Sequence, residues 1–193
     1  MEKTPHLHLK YQICVSGAAE TGHCAPDALE VAKEIGREIA QRNAVLLTGA
    51  TTGFPYWSAI GCKEAGGYSV GISPASGEKE HVEKWNLPLD YMDVILYAGA
   101  GFPLRDMLLT QASDAVVIGC GRIGTLHEFT VAFESNKPIG VLETLGGTVD
   151  MIREILEKSN RKEDNTKIIF EKDPKVLLDK LFELIKKEKI TDI

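Results

Sequence analysis

Short apolar runs alternate with longer segments of helical periodicity along this chain. The runs are four or five residues long and lack the polar alternation of a half-exposed strand. Runs of this kind are typical of strands that are covered on both faces, which usually belong to parallel sheets. The predicted strands are residues 11–15, 44–48, 68–72, 94–97, 115–118, 138–142 and 167–170.

Apolar residues at helical spacing lie between these strands, as in Val31, Ile35 and Ile39. The predicted helices are residues 27–41, 54–66, 103–112, 124–135, 148–159 and 174–189. Strands that alternate with helices predict an α/β fold. We expect one Rossmann-like, doubly wound domain over residues 1–193, with a mainly parallel sheet of about seven strands flanked by helices. Residues 73–93 are predicted to be a long irregular loop that could act as a lid.

The composition is that of a globular chain with an acidic charge balance. Its 193 residues are 44% hydrophobic, and the formal net charge is −6. An acidic balance disfavours binding to nucleic acids and anionic membranes, because both require basic surfaces. No apolar stretch reaches the roughly 18 residues of a membrane span, and residues 1–10 lack the apolar core of a signal peptide. We therefore expect a cytoplasmic protein.

The cysteines and histidines form no recognisable metal-binding motif. Cys14, Cys24, Cys62 and Cys120 contain no C-x-x-C pair and no metal-ligand spacing. We expect them to be buried free thiols in a reducing compartment. The five histidines form no motif either, so we predict neither a metal nor a cofactor.

Three glycine-rich turns follow predicted strands, and doubly wound sheets bind ligands where their strands end. The first turn, residues 16–22, contains Gly17, and the second, residues 48–53, contains Gly49 and Gly53. Glycines let backbone amides approach a ligand closely, and a helix start adds N–H groups that attract anions. We therefore expect these three glycines to contact a phosphate-bearing nucleotide.

The third turn, residues 119–125, supports two interpretations. Gly119, Gly121 and Gly124 satisfy the dinucleotide fingerprint G-x-G-x-x-G between a strand and a helix. Glu143 follows at the end of the next strand, roughly where a ribose-binding acid is expected. This interpretation predicts a dinucleotide-dependent oxidoreductase.

In the other interpretation, the same turn binds a single phosphate group. Backbone amides of Gly121, Gly124 and Thr125, with the Thr125 hydroxyl, would hold the anion at the helix start. Glu128 lies one turn into the helix, so its carboxylate faces the same opening. Arg105 could neutralise the phosphate or pair with Glu128.

Four blocks of sequence, taken in order, resemble the LOG-type proteins, which are often labelled lysine decarboxylase-like. The order and spacing of the blocks are more specific than any one of them, and the resemblance as a whole spans about residues 11–142. The blocks are the glycine-rich residues 48–74, Arg105-Asp106-Met107 with Ser113-Asp114-Ala115, residues 121–128, and Lys137-Pro138-Ile139.

The resemblance implies a Rossmann-like fold, a homodimer or larger homo-oligomer, and one of two functions. One branch of the family cleaves the N-glycosidic bond of AMP or cytokinin nucleoside 5′-monophosphates without a metal. Another branch comprises molybdenum cofactor carrier proteins, which bind a pterin phosphate. Matched residue by residue, Arg105 and Glu128 correspond to the catalytic pair of the first branch. Gly121, Gly124 and Thr125 correspond to its phosphate loop.

Two positions depart from the family's pattern. Arg122 replaces a glycine of the phosphate loop, so its guanidinium either blocks the phosphate or joins the phosphate contacts. Asp106 replaces the lysine that follows the family's arginine. Three hypotheses therefore stay open: a nucleoside 5′-monophosphate hydrolase, a non-catalytic nucleotide or molybdenum cofactor carrier, and a dinucleotide-dependent oxidoreductase.

Overall fold

The computed structural model of the chain describes residues 9–161 and 167–187. Seven parallel strands form one sheet, which confirms the predicted fold class. The strands are β1 Gln12–Ser16, β2 Val45–Thr48, β3 Tyr68–Ser73, β4 Val94–Tyr97, β5 Ala115–Ile118, β6 Ile139–Leu142 and β7 Ile168–Glu171. Every bound lies within one residue of its predicted position, because buried apolar runs end sharply in the sequence.

The predicted helices are all present in the described part of the chain. They are α1 Ala28–Gln41, α2 Phe54–Glu64, α3 Gly101–Ala112, α4 Ile123–Glu134, α5 Ile152–Lys158 and α6 Pro174–Ile185. A 3-10 turn, Thr148–Met151, precedes α5. The sixth helix ends earlier than predicted, and residues 188–189 lie outside the described residues. Within residues 9–161 and 167–187, no helix has the length and apolar character needed to cross a membrane.

Residues 73–93 are not wholly irregular, contrary to the prediction. A π-helical turn, Glu80–Lys84, forms inside this stretch. The fully buried imidazole of His81 holds the turn in place. Its Nδ1 lies 2.8 Å from Ser73 Oγ, and its Nε2 lies 3.0 Å from the Pro88 carbonyl oxygen. A single helical turn is too short to produce a visible apolar period.

The strands follow the order β4-β3-β2-β1-β5-β6-β7 across the sheet. The chain builds outward in one direction from β1 to β4 and in the other from β5 to β7. The loops that follow β1 and β5, residues 17–27 and 119–122, therefore diverge and leave a crevice at the carboxyl edge. Fully buried residues such as Val15 and Val117 make the strands beneath this crevice a rigid support.

The prediction of four free thiols is wrong for two of the cysteines. Cys24 and Cys120 form a disulfide, with their Cα atoms 5.7 Å apart, whereas Cys14 and Cys62 are buried free thiols. The two bonded residues are 96 positions apart in sequence and lie in the loops after β1 and β5. Their spacing gives no sign of pairing, because only the order of the strands brings the two loops together.

Candidate functional site

A pocket of about 400 Å³ lies in the crevice between the loops after β1 and β5. The rest of its lining comes from the loop after β2, the second turn of α3, the start of α4 and residues 85–87. Seven of the nine predicted site residues line this pocket. These seven are Gly17, Gly49, Arg105, Arg122, Gly124, Thr125 and Glu128.

Arg105 and Glu128 form a buried ion pair in this pocket. Arg105 Nη1 lies 3.8 Å from Glu128 Oε1, and each side chain is 8% exposed. The Ser16 hydroxyl, at the end of β1, donates a hydrogen bond to Glu128 Oε2. Two helices and the central strand therefore converge on one carboxylate. The structure brings the predicted pair together, and its catalytic role stays a prediction.

Gly49 makes room for the Arg105 side chain. A Cβ atom at position 49 would lie 1.5 Å from Arg105 Nη1 and 2.7 Å from its Cζ. Both distances are far below van der Waals contact, so no side chain at position 49 is compatible with the guanidinium in its present place. This glycine is thus required by the arginine, in addition to forming part of the pocket lining.

The cluster around Arg105 and Glu128 also contains Ser16, Asp106 and His127, which were not predicted from the sequence as site residues. Asp106 is buried, with Oδ1 3.2 Å from Arg105 Nε and Oδ2 3.0 Å from His127 Nδ1. The aspartate therefore shares the positive charge of Arg105 with Glu128. One sequence signal could have found two of these residues, because Asp106 and His127 directly adjoin the predicted pair.

Burial raises the pKa of the Glu128 carboxyl from its ordinary 4.5 to about 7. The Arg105 guanidinium opposes this rise in pKa, the Asp106 carboxylate adds to it, and the hydrogen bond from Ser16 opposes it. The carboxyl can therefore be protonated or ionised near neutral pH. Carboxyl groups shifted in this way within pockets are typical of catalytic acids and bases.

The first turn of α4 opens into the pocket through Gly124 and Thr125. Its leading N–H groups have no acceptor within the helix and carry a partial positive charge. Apart from its chain neighbours and the backbone of α4 itself, no atom of the described residues lies within 4 Å of the position that a Gly124 Cβ would take. The space in front of this turn is therefore open to a ligand.

Gly53 and Gly121 shape the loops and are not among the residues that line this pocket, so their predicted contact with a ligand stays a prediction. Gly53 has a φ of +69°, which L residues rarely adopt, and it leads into Phe54, whose N–H donates to the Ala18 carbonyl at 2.9 Å. A Cβ at Gly121 would lie 2.4 Å from Thr125 Cβ. The two glycines therefore join the loops and let Thr125 pack closely.

Arg122 lies at the rim of the pocket and pairs with Glu20. Its Nη1 donates to Glu20 Oε2, and the two side chains are 59% and 82% exposed. The guanidinium therefore does not fill the space in front of α4. An exposed pair of this kind contributes at most about 1 kcal/mol, so an anionic ligand can replace Glu20 as the partner of Arg122.

Part of the pocket wall is apolar and aromatic. Pro55, Trp85, Leu87 and Phe102 form it, and the rings of Trp85 and Phe102 pack edge to face with centroids 5.0 Å apart. Trp85 and Leu87 belong to residues 73–93, so part of the predicted lid does border the pocket. A wall of this composition accommodates a planar ring.

Glu143, the ribose-binding acid of the dinucleotide interpretation, does not line this pocket. Its Oε1 accepts a hydrogen bond from Arg153 Nε at 2.7 Å, and both residues line a separate cavity. A Cβ at Gly119 would lie 2.2 Å from the Phe54 ring, so this glycine serves packing. The geometry does not assemble a dinucleotide site from these residues.

The comparisons with known proteins agree with this fold. A model of the SLOG cluster4 family matches residues 10–178. An uncharacterized protein of Archaeoglobus fulgidus is 30% identical over 132 residues, which are 68% of this chain and 80% of that protein.

Two solved structures resemble the chain over nearly its whole length. The molybdenum cofactor binding protein of the phototrophic bacterium Rippkaea orientalis is 26% identical, with a TM-score of 0.71, over 93% of this chain and 98% of that one. The molybdenum cofactor carrier protein of Chlamydomonas reinhardtii is 26% identical, with a TM-score of 0.73, over 92% of this chain and 99% of that one. Both share the Rossmann-like arrangement that the LOG-type resemblance implied.

Proposed function

The chain belongs to the SLOG cluster4 family, and from this premise we propose that its pocket binds a nucleoside 5′-monophosphate and hydrolyses the N-glycosidic bond. The products are the free base and ribose 5-phosphate. The observation that carries the proposal is the buried pair of Arg105 and Glu128, 3.8 Å apart beside the open first turn of α4.

Glu128 would act at the anomeric carbon of the ribose. Cleavage of an N-glycosidic bond builds positive charge on the sugar, which a nearby carboxylate stabilises. Water forms the new bond to C1′ and gives a proton to Glu128, while the electron pair of the broken bond leaves with the base. The departing base takes a proton from solvent. A pKa of about 7 lets Glu128 accept that proton and release it again near neutral pH.

Arg105 would keep Glu128 ionised and in position. Its guanidinium occupies the space that Gly49 leaves free, and its Nε lies 3.2 Å from Asp106 Oδ1. Fixed charges in a buried site cost little reorganisation during the reaction, which is why they are effective in catalysis. The arginine is therefore expected to act on the carboxylate more than on the phosphate.

The phosphate of the ligand would bind at the start of α4. Gly124 leaves the N–H groups of the first turn open, and Thr125 adds a hydroxyl to the pocket lining. Arg122 at the rim adds a second positive group once it exchanges Glu20 for the phosphate. Binding energy gained there anchors the substrate remotely from the bond that reacts.

The base would lie against the apolar wall. Trp85, Leu87, Phe102 and Pro55 form this wall, and planar heteroaromatic rings pack well on such surfaces. The wall and the start of α4 border the same pocket, so one nucleotide could contact both.

A specific observation favours a second candidate function, a carrier that binds a pterin phosphate without hydrolysis. Asp106 stands where LOG-type sequences have a lysine, and it shares the charge of Arg105. Less positive charge then remains to keep Glu128 ionised. Two solved structures named for the molybdenum cofactor are similar to this chain. The same phosphate-binding turn at the start of α4 and the same apolar wall could bind such a ligand.

Gly124→Val should weaken nucleotide binding at least about tenfold, because its side chain enters the space where the phosphate would lie. The fold should be unaffected, since the described residues leave that space open. Calorimetric titration with AMP, a cytokinin nucleotide and a pterin phosphate measures affinity, and chromatography measures release of free base.

Gly77→Val is the matched control, because Gly77 is equally uncrowded and lies outside the pocket lining. Base release by the wild-type protein supports the hydrolase, and tight pterin binding without base release supports the carrier. If Gly124→Val and the wild type bind every ligand with equal affinity, the phosphate does not bind at the start of α4.

We also propose that the protein forms a homodimer through α3 and the edge strand β4. Leu104, Met107 and Leu108 on α3 are 42–47% exposed, and Val94 and Leu96 on β4 are 48% and 54% exposed. Strand β4 is the outermost strand at its end of the sheet. Apolar groups on an uncovered sheet edge and the next helix are what a self-complementary interface covers.

Leu108→Glu should dissociate this dimer, raising its dissociation constant by about 30-fold or more, since a charge would be buried in an apolar contact. Sedimentation velocity over a range of concentrations measures the effect. Val176→Glu is the matched control, because Val176 is 40% exposed on α6. A monomeric wild-type protein, or a dimer untouched by Leu108→Glu, is incompatible with the proposed interface.

A further inference from the structure

The disulfide between Cys24 and Cys120 has a third potential ligand group beside it. His23 Nε2 lies 3.7 Å from Cys120 Sγ, and the two sulfurs and an imidazole nitrogen all lie within 4.8 Å of one another. His23 is exposed, Cys24 is half-buried and Cys120 is buried. The cluster is therefore reachable from solvent on the histidine side.

The backbone around this cluster does not depend on the disulfide alone. The Ala18 N–H donates to the Cys120 carbonyl at 2.7 Å, and the Ala25 N–H donates to the Leu145 carbonyl at 2.9 Å. Neither bond involves a sulfur atom, so we expect both to persist when the disulfide is reduced. A small dithiol can exchange with the disulfide, so that Cys24 and Cys120 become thiols and the reductant becomes the disulfide.

Two thiolates and one imidazole are a ligand set that Zn²⁺ and related borderline-soft cations prefer. In a tetrahedral zinc site, a sulfur and a nitrogen ligand lie about 3.6 Å apart, close to the 3.7 Å between Cys120 Sγ and His23 Nε2. The Cα separation of 5.7 Å allows the two sulfurs to part by side-chain rotation. A shallow cavity lined by His23, Gly121 and Gly147 leaves room for a fourth ligand such as water.

We propose that the reduced protein binds one zinc-like divalent cation through Cys24, Cys120 and His23, and that the disulfide and the cation exclude each other. Binding joins the metal to two sulfurs and one nitrogen and releases the two thiol protons. The bound metal would connect the loops after β1 and β5, which also line the nucleotide pocket. The site is distinct from the Arg105–Glu128 pair and does not require the proposed hydrolysis.

Cobalt(II) is the probe, because thiolate-bound tetrahedral cobalt absorbs visibly whereas zinc does not. The full chain is reduced with a phosphine, separated from it without oxygen, and titrated with Co²⁺. We expect one Co²⁺ per chain, with a thiolate-to-cobalt charge-transfer band that disappears on adding one equivalent of Zn²⁺. The oxidised protein should show no such band.

Cys24→Ser and Cys120→Ser should each abolish the tetrahedral thiolate spectrum, and His23→Gln should weaken cobalt binding at least about tenfold. Cys62→Ser is the matched control, because Cys62 is a buried free thiol outside the cluster. It should bind cobalt as the wild type does. A folded, fully reduced protein without the charge-transfer band overturns the site. So does a band that persists in the Cys24→Ser, Cys120→Ser double variant. Equal binding by the oxidised protein overturns the exclusion.

Discussion

Base release from a nucleoside 5′-monophosphate should fall by about 10²- to 10⁴-fold in Glu128→Gln, while nucleotide affinity stays within about threefold. The amide keeps the size of the side chain but cannot accept a proton from water or carry the charge that stabilises the sugar cation. Single-turnover measurement of free base, with calorimetric titration of the same nucleotide, separates the two effects.

Glu134→Gln is the matched control for this substitution. Glu134 lies on the same helix, is exposed, and pairs with Arg161 at 3.1 Å. Its substitution should leave both base release and affinity unchanged. A Glu128→Gln enzyme that releases base at the wild-type rate would remove Glu128 from the mechanism.

The pH dependence of Glu128 gives a second readout of the same variant. Its pKa is about 7 in the folded protein against an ordinary 4.5, so the folded state binds more protons between these values. The contribution of Glu128 to the free energy of unfolding is therefore highest below about pH 4.5. This contribution is lost as the pH rises through about 7.

Glu128→Gln cannot ionise, so its stability relative to wild type should increase from pH 5 to pH 8, by up to about 3 kcal/mol. Urea unfolding of both proteins at several pH values measures this difference. The wild-type rate of base release should rise over the same range, because the ionised carboxyl is the active form. A stability difference that is flat or falls with pH would contradict the burial-driven shift.

Gly49→Ala should destabilise the protein by about 3–5 kcal/mol and abolish nucleotide turnover. The added methyl group would lie 1.5 Å from Arg105 Nη1, so the guanidinium must leave its buried place. Glu128 and Asp106 then lose their shared counter-charge inside the protein, which is costly. Urea unfolding and the base-release assay measure the two effects.

A double-mutant cycle distinguishes this cause from a general intolerance of position 49. The three closest atoms to that Cβ position all belong to Arg105. In an Arg105→Ala background, Gly49→Ala should therefore cost less than about 1 kcal/mol. Equal costs in both backgrounds would show that the glycine is needed for another reason.

Much of the site was predictable from the sequence, and the remainder has identifiable physical causes. Four of the residues that line the pocket, Arg105, Glu128, Gly124 and Thr125, were predicted as site residues. They were predicted because glycine-rich turns after strands and a resemblance to LOG-type blocks mark the carboxyl edge of the sheet. Asp106 was seen only as a departure from that pattern. Its contact with Arg105 depends on side-chain directions that spacing does not define.

The glycines also show that a sequence pattern does not define which side chains a residue contacts. Gly49 was predicted to contact phosphate, but its required absence of a side chain serves the Arg105 guanidinium. Gly53 and Gly121 were predicted to contact the ligand, and the structure shows a packing role for each outside the pocket lining. A glycine in a sequence indicates that space is needed, and only the tertiary structure shows which group occupies the space.

The sequence by itself determined the strands, the helices, the parallel sheet and the edge at which ligands would bind, because apolar periodicity and turn residues act locally along the chain. Only the tertiary structure decided that Cys24 meets Cys120, that Ser16 reaches Glu128, and that Glu143 stays away from the pocket. The first two relations depend on strand β1 lying next to β5 in the sheet, and the third depends on β6 lying on the far side of β5. The adjacency of β1 and β5 brings together segments about 100 residues apart in sequence, and local patterns of apolar and turn residues do not predict contacts at that separation.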